Sequence, residues 1–279
     1  MGTARTKGAV WAWLVVIGCI GFYSIPTGII GNTSGIFVAP VMDQFGWTQT
    51  DTTMYRTIQP LHISEHIIYM NGDTGYKIAE YYEGARNSRA DDWDDVAKCM
   101  ELVQRLHNSG LTVAHEFNIR ERIAFYEGLC AAHGGTRFED YAEVRSHMNE
   151  LMDQLDAMQR PRVLSHIDSV ADNFLFLPDG DIRLIDWEYS GMCDPLIDLS
   201  MCAIYSYYDE AATEKLMQIY FGREPETKER KIVYSYIALG GFLWALWAVY
   251  KASLGEEFGE YTLIMYRYAK TYYKKVCLL

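Results

Sequence analysis

The amino-acid sequence predicts an α+β domain that is mostly helical and contains short β-hairpins, preceded by one long apolar segment. Amphipathic patterns with helical spacing cover residues 91–110 and 141–158, and most of the chain after the second predicted hairpin is also helical in pattern. Short runs of β-branched and aromatic residues around Gly- and Asp-containing turns predict the hairpins. Residues 9–31 are almost wholly apolar.

Composition and charge exclude several classes of protein. The 279 residues are 49% hydrophobic and 22% charged, which excludes a disordered chain. The formal net charge of −12 argues against a nucleic-acid partner, because nucleic-acid-binding surfaces neutralise phosphates with Lys and Arg. The six cysteines include no C-x-x-C pair, which excludes a disulfide scaffold and a zinc ribbon and favours a reducing compartment.

The distribution of charge indicates a boundary near Pro60. Residues 1–60 contain three basic and two acidic side chains, whereas residues 61–279 carry a net charge of −13. The uncharged run of residues 9–31 exceeds the ~20 residues that a helix needs to cross a bilayer. A signal peptide has a shorter apolar core of about 7–15 residues, and a buried soluble helix is the alternative. We therefore predict a transmembrane helix, and membrane association, in residues 1–60.

Local patterns predict the elements of the second domain, residues 61–279. EHIIYM and YKIAEYY predict two strands around a turn, and DDWDD predicts the start of a helix that Gly110 ends. A second amphipathic helix ends before Pro161, and NFLFLPDGDIRLID predicts a hairpin with PDG as its turn. Residues 232–250 are long and apolar enough for a membrane span, but their glycines and amphipathic flanks favour a buried core helix.

Four polar residues in VLSHIDSVADNFLFLPDGDIRLIDWEYSG carry the strongest functional signal. His166, Asp168 and Asn173 follow the spacing H-x-D-x-x-x-x-N, and the predicted hairpin returns Asp186 toward them. Phosphoryl transfer from ATP needs a carboxylate to accept the hydroxyl proton of the acceptor, and hard oxygen ligands for Mg²⁺. Asp168 is the candidate base, and Asn173 and Asp186 are candidate magnesium ligands. Solvated turn residues are the alternative; a zinc site is disfavoured because no third His or Cys lies at ligand spacing.

This block resembles the catalytic and metal-binding loops of the choline kinase and aminoglycoside phosphotransferase superfamily, and within it the bacterial choline kinases involved in decorating surface glycans. The resemblance covers about residues 63–275 and rests on SHIDSVADNFLF, LIDWEYSGMCDPLIDLS, RLHNSG and FLWALWAVYKASLGEEFGEY. It implies a protein-kinase-like large lobe that uses ATP and Mg²⁺. It places His166 and Asp168 in the catalytic loop, with Asp198 as the acid that braces this loop. It also implies a hinge near adenine, formed by Glu80, Tyr81 and Tyr82.

Aromatic residues suggest an acceptor site for a cationic alcohol. Trp244, Trp247, Tyr189 and Tyr250 are candidates for an aromatic wall, and a quaternary ammonium is best held by π faces because it donates no hydrogen bond. The resemblance implies that this W-x-x-W lines a choline pocket. The alternative is that both tryptophans pack in the core, since residues three apart share one helix face. Tyr205 lies near the position where some family members carry an acid that balances the ammonium.

The N-terminal segment resembles a different family. Residues 8–59 are similar to the first transmembrane helix of major facilitator transporters, although one helix cannot form a transport pathway. A kinase also needs a small lobe with a phosphate loop and a lysine, but no lysine lies between Lys7 and Lys77, so the small lobe is expected to be missing. Arg5 and Lys7 favour a cytoplasmic N-terminus, which would place the second domain outside, in conflict with the cytoplasmic location expected for kinases of this kind.

The sequence therefore predicts an ATP-dependent phosphotransferase that acts on choline or a similar small amino alcohol, with activity impaired by loss of the small lobe. Two alternatives stay open. One is a kinase of aminoglycoside type or of another small alcohol. The other is an inactive, membrane-attached kinase fragment that arose from a gene join near residue 60.

Overall fold

The computed structural model of the protein describes residues 58–70, 77–136 and 138–279. Three predictions concern the N-terminal segment: the transmembrane helix in residues 9–31, the transporter-like stretch of residues 8–59 and the missing small lobe. They lie outside the described residues.

The chain divides into two compact units, and the described part of the first is a small hairpin within residues 66–83. Strand β1 (Ile67–Met70) pairs antiparallel with β2 (Lys77–Ala79). Tyr69 lies opposite Ile78, and Met70 lies opposite Lys77. The two strands predicted for EHIIYM and YKIAEYY are thus confirmed.

The second unit comprises residues 53–65 and 84–279 and is mostly helical. Its helices are α1 (Trp93–His107), α2 (Ile119–Ala132), α3 (Tyr141–Ala157), α4 (Leu196–Tyr205), α5 (Glu210–Phe221), α6 (Thr227–Ser253) and α7 (Tyr261–Leu278). Its strands are β3 (Arg86–Asn87), β4 (Val163–Ser165), β5 (Phe174–Phe176), β6 (Ile182–Leu184) and β7 (Gly191–Cys193). The α+β, mostly helical prediction is therefore confirmed for this unit.

Helix starts follow the capping signals in the sequence. The Asp92 side chain accepts hydrogen bonds from the backbone N–H groups of Asp94 and Asp95 and so begins α1, as DDWDD predicted. Helix α2 was not predicted, although Asn118 caps it in the same way. Its local signal was the pair Asn118 and Glu121, whose side chains are joined by a 3.1 Å hydrogen bond.

Two small antiparallel sheets support the loops that carry the polar block. One has the strand order β3-β5-β6, with Phe174 opposite Leu184, and the other pairs β4 with β7. The PDG turn joins β5 to β6, and Gly180 has φ +93°, a conformation that glycine adopts without strain. The predicted hairpin is confirmed, and it returns the chain to the start of the Asp186 loop.

Helix α6 is the centre of the second unit. Among the described residues it alone is long and apolar enough to cross a membrane, yet 89% of its most apolar window is buried. It packs against α7, α4 and α2, as expected for a core helix. A Cβ atom on Gly241 would lie 2.6 Å from the backbone oxygen of Met265 in α7. Glycine at this position is therefore what allows the two helices to approach closely.

Candidate functional site

The loop after β4 has an unusual backbone. Ile167 has φ +73°, and its side chain is fully buried. A β-branched residue rarely adopts this left-handed conformation, which costs about 1–3 kcal/mol and persists only where the surroundings enforce it. Because Ile167 lies between His166 and Asp168, this conformation sets the direction of the Asp168 side chain.

A buried carboxylate holds the strained loop. Asp198, in α4, accepts a hydrogen bond from the backbone N–H of His166 at 2.9 Å and another from that of Ile167 at 2.5 Å. The ring of His107 contributes a third contact, with Nε2 2.9 Å from Oδ2 of Asp198. Burial acts to raise the pKa of Asp198, but the hydrogen bond and charge of His107 hold that pKa below its usual value. The carboxylate is therefore ionised where it binds the loop.

Asp168 is half-buried and lies beside the amide of Asn173. The Nδ2 atom of Asn173 donates to the backbone oxygen and to Oδ2 of Asp168, both at 2.9 Å. Burial and the negative charge of Asp186 raise the pKa of Asp168 to about 7, although hydrogen bonds from Tyr205 and Asn173 act in the opposite direction. A carboxylate with a pKa near neutrality is well suited to exchange a proton with an acceptor hydroxyl.

Asp186 follows β6 and is also held in the left-handed region, with φ +63°. This conformation brings its carboxylate near that of Asp168, and the electrostatic repulsion between the two raises the pKa of Asp168. Two neighbouring carboxylates and the amide oxygen of Asn173 are hard donors of the kind that Mg²⁺ prefers. No group of three or more His, Cys, Asp or Glu side chains suited to a metal occurs among the described residues. The oxygen donors of Asp168, Asn173 and Asp186 therefore suit a magnesium ion in their chemistry.

His166 is fully buried, and burial lowers the pKa of its ring. Its Nε2–H donates to the backbone oxygen of Ile185 at 2.9 Å, and its ring meets Trp187 edge-on at 4.8 Å. A neutral imidazole in this position ties the Asp168 loop to the Asp186 loop. The structure thus brings all four polar residues of the predicted block together. His166 is fully buried among them, with its ring hydrogen-bonded to the backbone of Ile185.

A group of aromatic rings lies beside Asp168 and includes Tyr205, which hydrogen-bonds the Asp168 side chain. Trp244 lies 5.5 Å from Tyr189, 5.8 Å from Tyr205 and 6.1 Å from Trp247 between ring centroids. Trp247 in turn contacts Phe258 at 4.8 Å. We call this group the aromatic cluster; its members are Tyr189, Tyr205, Trp244, Trp247, Phe258 and Tyr261. Trp244 is 4% exposed and forms its floor, whereas the other five rings are half-buried and can contact a ligand.

Tyr250, the fourth residue predicted for the aromatic wall, lies beside Tyr126 and His133. Its ring centroid is 6.4 Å from that of Tyr126 and 5.3 Å from that of His133. Tyr126 in turn hydrogen-bonds Tyr189 of the cluster. Phe258 and Tyr261 were missed, although both follow α6 within the quoted motif FLWALWAVYKASLGEEFGEY. No local sequence pattern predicts this contact, because the turn between α6 and α7 is what brings the two rings next to Trp247.

Two acids near Tyr205 are engaged elsewhere. Asp209 caps α5 by accepting a hydrogen bond from the N–H of Ala212, and Glu210 pairs with Lys275. Both carboxylates therefore already have a partner within the described structure.

The predicted hinge residues follow β2 in the first unit. The N–H of Glu80 donates to the backbone oxygen of His66 at 2.8 Å, and the hydroxyl of Tyr82 accepts from the N–H of His66 at 2.9 Å. Tyr81 is 55% exposed. These contacts extend the β1–β2 hairpin and give the segment a defined conformation.

Comparison with known families identifies the class of protein. Residues 60–230, which are more than half of the chain, match the phosphotransferase enzyme family. The chain belongs to this family and is a kinase-like enzyme with the protein-kinase-like fold that the sequence predicted for its large lobe.

Within this family, the chain is similar to LicA proteins from two bacteria. The chain is 26% identical to Protein LicA of Haemophilus influenzae over 208 residues, which are 70% of this chain but only 60% of that relative. Choline kinase LicA from Streptococcus pneumoniae superposes with a TM-score of 0.71 at 27% identity, covering 81% of this chain and 80% of the other. A LicA structure in complex with AMP gives a TM-score of 0.72 at 28% identity, covering 82% of this chain and 79% of the other.

Proposed function

We propose that this chain is an ATP-dependent kinase that phosphorylates the hydroxyl group of choline or a closely similar small amino alcohol. The observation that carries the proposal is the position of Asp168 at the edge of the aromatic cluster. Tyr205, a member of the cluster, hydrogen-bonds Asp168, so a base for a hydroxyl lies next to a surface for a cation. The 27% identity to a choline kinase supports the same substrate class.

The chemistry proposed for the chain's own residues is positioning and proton transfer. Asp168 accepts the proton of the acceptor hydroxyl. The oxygen of that hydroxyl attacks the γ-phosphorus of ATP in line with the leaving ADP. The Asn173 amide, 2.9 Å from Oδ2, keeps this carboxylate in one orientation. Asp198 holds the loop through the N–H groups of His166 and Ile167.

The carboxylate of Asp186 and the amide oxygen of Asn173 would hold Mg²⁺. When bound, this ion supplies positive charge that offsets the charge of the transferring phosphoryl group. The hinge segment Glu80, Tyr81 and Tyr82 is proposed to contact adenine through its backbone. The AMP complex of a LicA relative supports a nucleotide site of this kind.

The acceptor group is proposed to be a quaternary ammonium. Each ring face contributes about 0.5–2 kcal/mol to a methylated cation, which has no N–H group to donate. An aminoglycoside carries several primary ammonium groups, each of which needs hydrogen-bond acceptors. Asp209 and Glu210 serve as a helix cap and an ion-pair partner, so the aromatic cluster favours choline over an aminoglycoside.

The test is phosphate transfer from ATP and Mg²⁺ by the purified full chain, with choline, ethanolamine and kanamycin as acceptors. We expect transfer to choline, and Asp168→Asn should reduce kcat by about 10²–10⁴-fold. Asp179→Asn, an exposed carboxylate at the hairpin turn, is the matched control and should leave kcat unchanged. A folded chain that transfers phosphate to none of the three acceptors would contradict the proposal and favour the inactive fragment.

A further inference from the structure

Behind Asp198 a chain of buried polar contacts continues to the surface of α5. Nε2 of His107 lies 2.9 Å from Oδ2 of Asp198, and Nδ1 of the same ring lies 2.7 Å from the hydroxyl of Tyr220. His107 is 8% exposed, and Tyr220 is half-buried. We call the chain Tyr220–His107–Asp198 the buried relay. The roles described above use His107 only as a contact of Asp198, and they do not use Tyr220.

The imidazole of His107 joins two elements of the buried relay. The ionised Asp198 only accepts, so the Nε2–H of His107 donates a hydrogen bond to the carboxylate. The other ring nitrogen, Nδ1, shares a hydrogen bond with the Tyr220 hydroxyl. The side chain of Gln104 also donates to the backbone oxygen of Tyr220 and so ties α5 to α1. The relay therefore links α5 to Asp198 through both nitrogens of one buried ring.

The relay ends on the strained part of the catalytic loop. The same Oδ2 that meets His107 accepts from the N–H of His166, while Oδ1 accepts from the N–H of Ile167. If the Asp198 carboxylate rotated about its Cβ–Cγ bond, at least one of the N–H groups of His166 and Ile167 would lose its hydrogen bond. The left-handed φ of Ile167 would then relax toward the common region, because only its surroundings maintain it. Asp168, the next residue, would turn with it.

We infer that His107 and Tyr220 are positioning residues for phosphoryl transfer: by fixing the orientation of Asp198 they hold the Ile167 turn and hence the Asp168 carboxylate. The expected effect on kcat rests on the proposed function. The expected effect on the conformation of the Ile167 turn does not. It assigns a role to the helix end RLHNSG and to α5, neither of which contacts Asp168.

The test compares Tyr220→Phe with Tyr234→Phe in the full chain. Both remove one hydroxyl, but that of Tyr234 donates to Glu214 at 2.6 Å, away from the catalytic loop. Tyr220→Phe should lower kcat about 3- to 10-fold with KM for choline unchanged, and Tyr234→Phe should leave kcat unchanged. His107→Leu should lower kcat about 10- to 100-fold, whereas His107→Gln, whose amide can donate to Asp198 and accept from Tyr220, should recover most of it.

Hydrogen exchange separates the buried relay from the proposed function. In nitrogen-15-labelled full chain without substrate, the His166 and Ile167 amides should exchange faster in Tyr220→Phe than in wild type or Tyr234→Phe. Unchanged exchange in Tyr220→Phe, or equal losses of kcat in the two tyrosine variants, would overturn the inference. If the wild-type chain transfers no phosphate, the proposed function fails, and amide exchange alone decides whether the relay holds the loop.

Discussion

Around Ile167 hydrogen bonds to a buried carboxylate hold the backbone in a conformation that it rarely adopts, whereas around Trp244 the side chains are held mainly by contacts between rings. The Asp168 loop and the Asp186 loop each contain a left-handed residue, Ile167 and Asp186, and the Asp168 loop depends on hydrogen bonds to the buried carboxylate of Asp198. The aromatic cluster needs no strained backbone. Its floor, Trp244, lies in the regular helix α6, with its Nε1–H 3.3 Å from the sulfur of Met201.

The difference implies different responses to substitution. A directional network loses its function when one member is replaced, because the remaining partners are left buried and unpaired. A ring cluster loses binding in proportion to the contact removed. Variants in the loop should therefore act on stability or kcat, and variants among the half-buried rings should act on KM.

The largest effect is expected from Asp198→Asn. The new amide would point donor hydrogens at one or more of the N–H groups that Asp198 now binds. We expect the free energy of unfolding to fall by about 3–5 kcal/mol, measured by urea denaturation. Asp181→Asn, which replaces an exposed carboxylate paired with Arg183, is the control and should change stability by less than about 0.5 kcal/mol. A small loss in Asp198→Asn would show that the loop does not depend on this carboxylate.

A smaller loss is expected from Gly241→Ala, which tests the packing beneath the aromatic cluster. The added Cβ would meet the backbone oxygen of Met265 at 2.6 Å and the Cβ of Tyr268 at 2.7 Å, so α6 and α7 must separate. We expect a loss of about 1–3 kcal/mol in the same denaturation experiment. Gly128→Ala is the matched control: this helical glycine has no atom within 4 Å of a new Cβ, and alanine should be neutral or stabilising.

Trp247→Ala should act on substrate binding. Its ring is half-buried and contacts three other members of the aromatic cluster, so it should contribute a cation–π contact of about 0.5–2 kcal/mol. We expect KM for choline to rise about 2- to 30-fold with little change in kcat. Trp93→Ala is the control, because Trp93 contacts Tyr208 and Lys215 outside the cluster. Equal effects of the two substitutions would argue against a choline site in the cluster.

Asp168→Asn should differ from the variants above in sign, because it should increase stability. In the metal-free protein the pKa of Asp168 is raised from 3.8 to about 7, so the unfolded chain releases this proton first as the pH rises. The wild type therefore loses stability between about pH 4 and pH 7, and the asparagine variant does not. The gain should be larger at pH 8 than at pH 4 by thermal denaturation. An equal gain at both values would show that burial of the charge is not its cause.

Several features of the site were predictable because the residues that form them are close together in the sequence. His166, Asp168 and Asn173 are separated by a few residues, and the PDG hairpin necessarily returns the chain to Asp186. Helix α1 was equally local, because Asp92 caps it with its own side chain. Helix α2 carries a similar capping signal at Asn118, but its own apolar residues follow the helical period only weakly, so the sequence did not predict it.

The sequence by itself determined the order and spacing of the candidate catalytic residues, the helical character of the domain and the presence of an aromatic motif in α6. Only the tertiary structure decided which rings meet. It joined Phe258 and Tyr261 to Trp247, placed Tyr250 against Tyr126, and brought His107 and Tyr220 together next to Asp198. The physical reason is that backbone hydrogen bonds and turns are encoded by neighbouring residues. Contacts between helices instead depend on how whole faces fit, which no local pattern specifies.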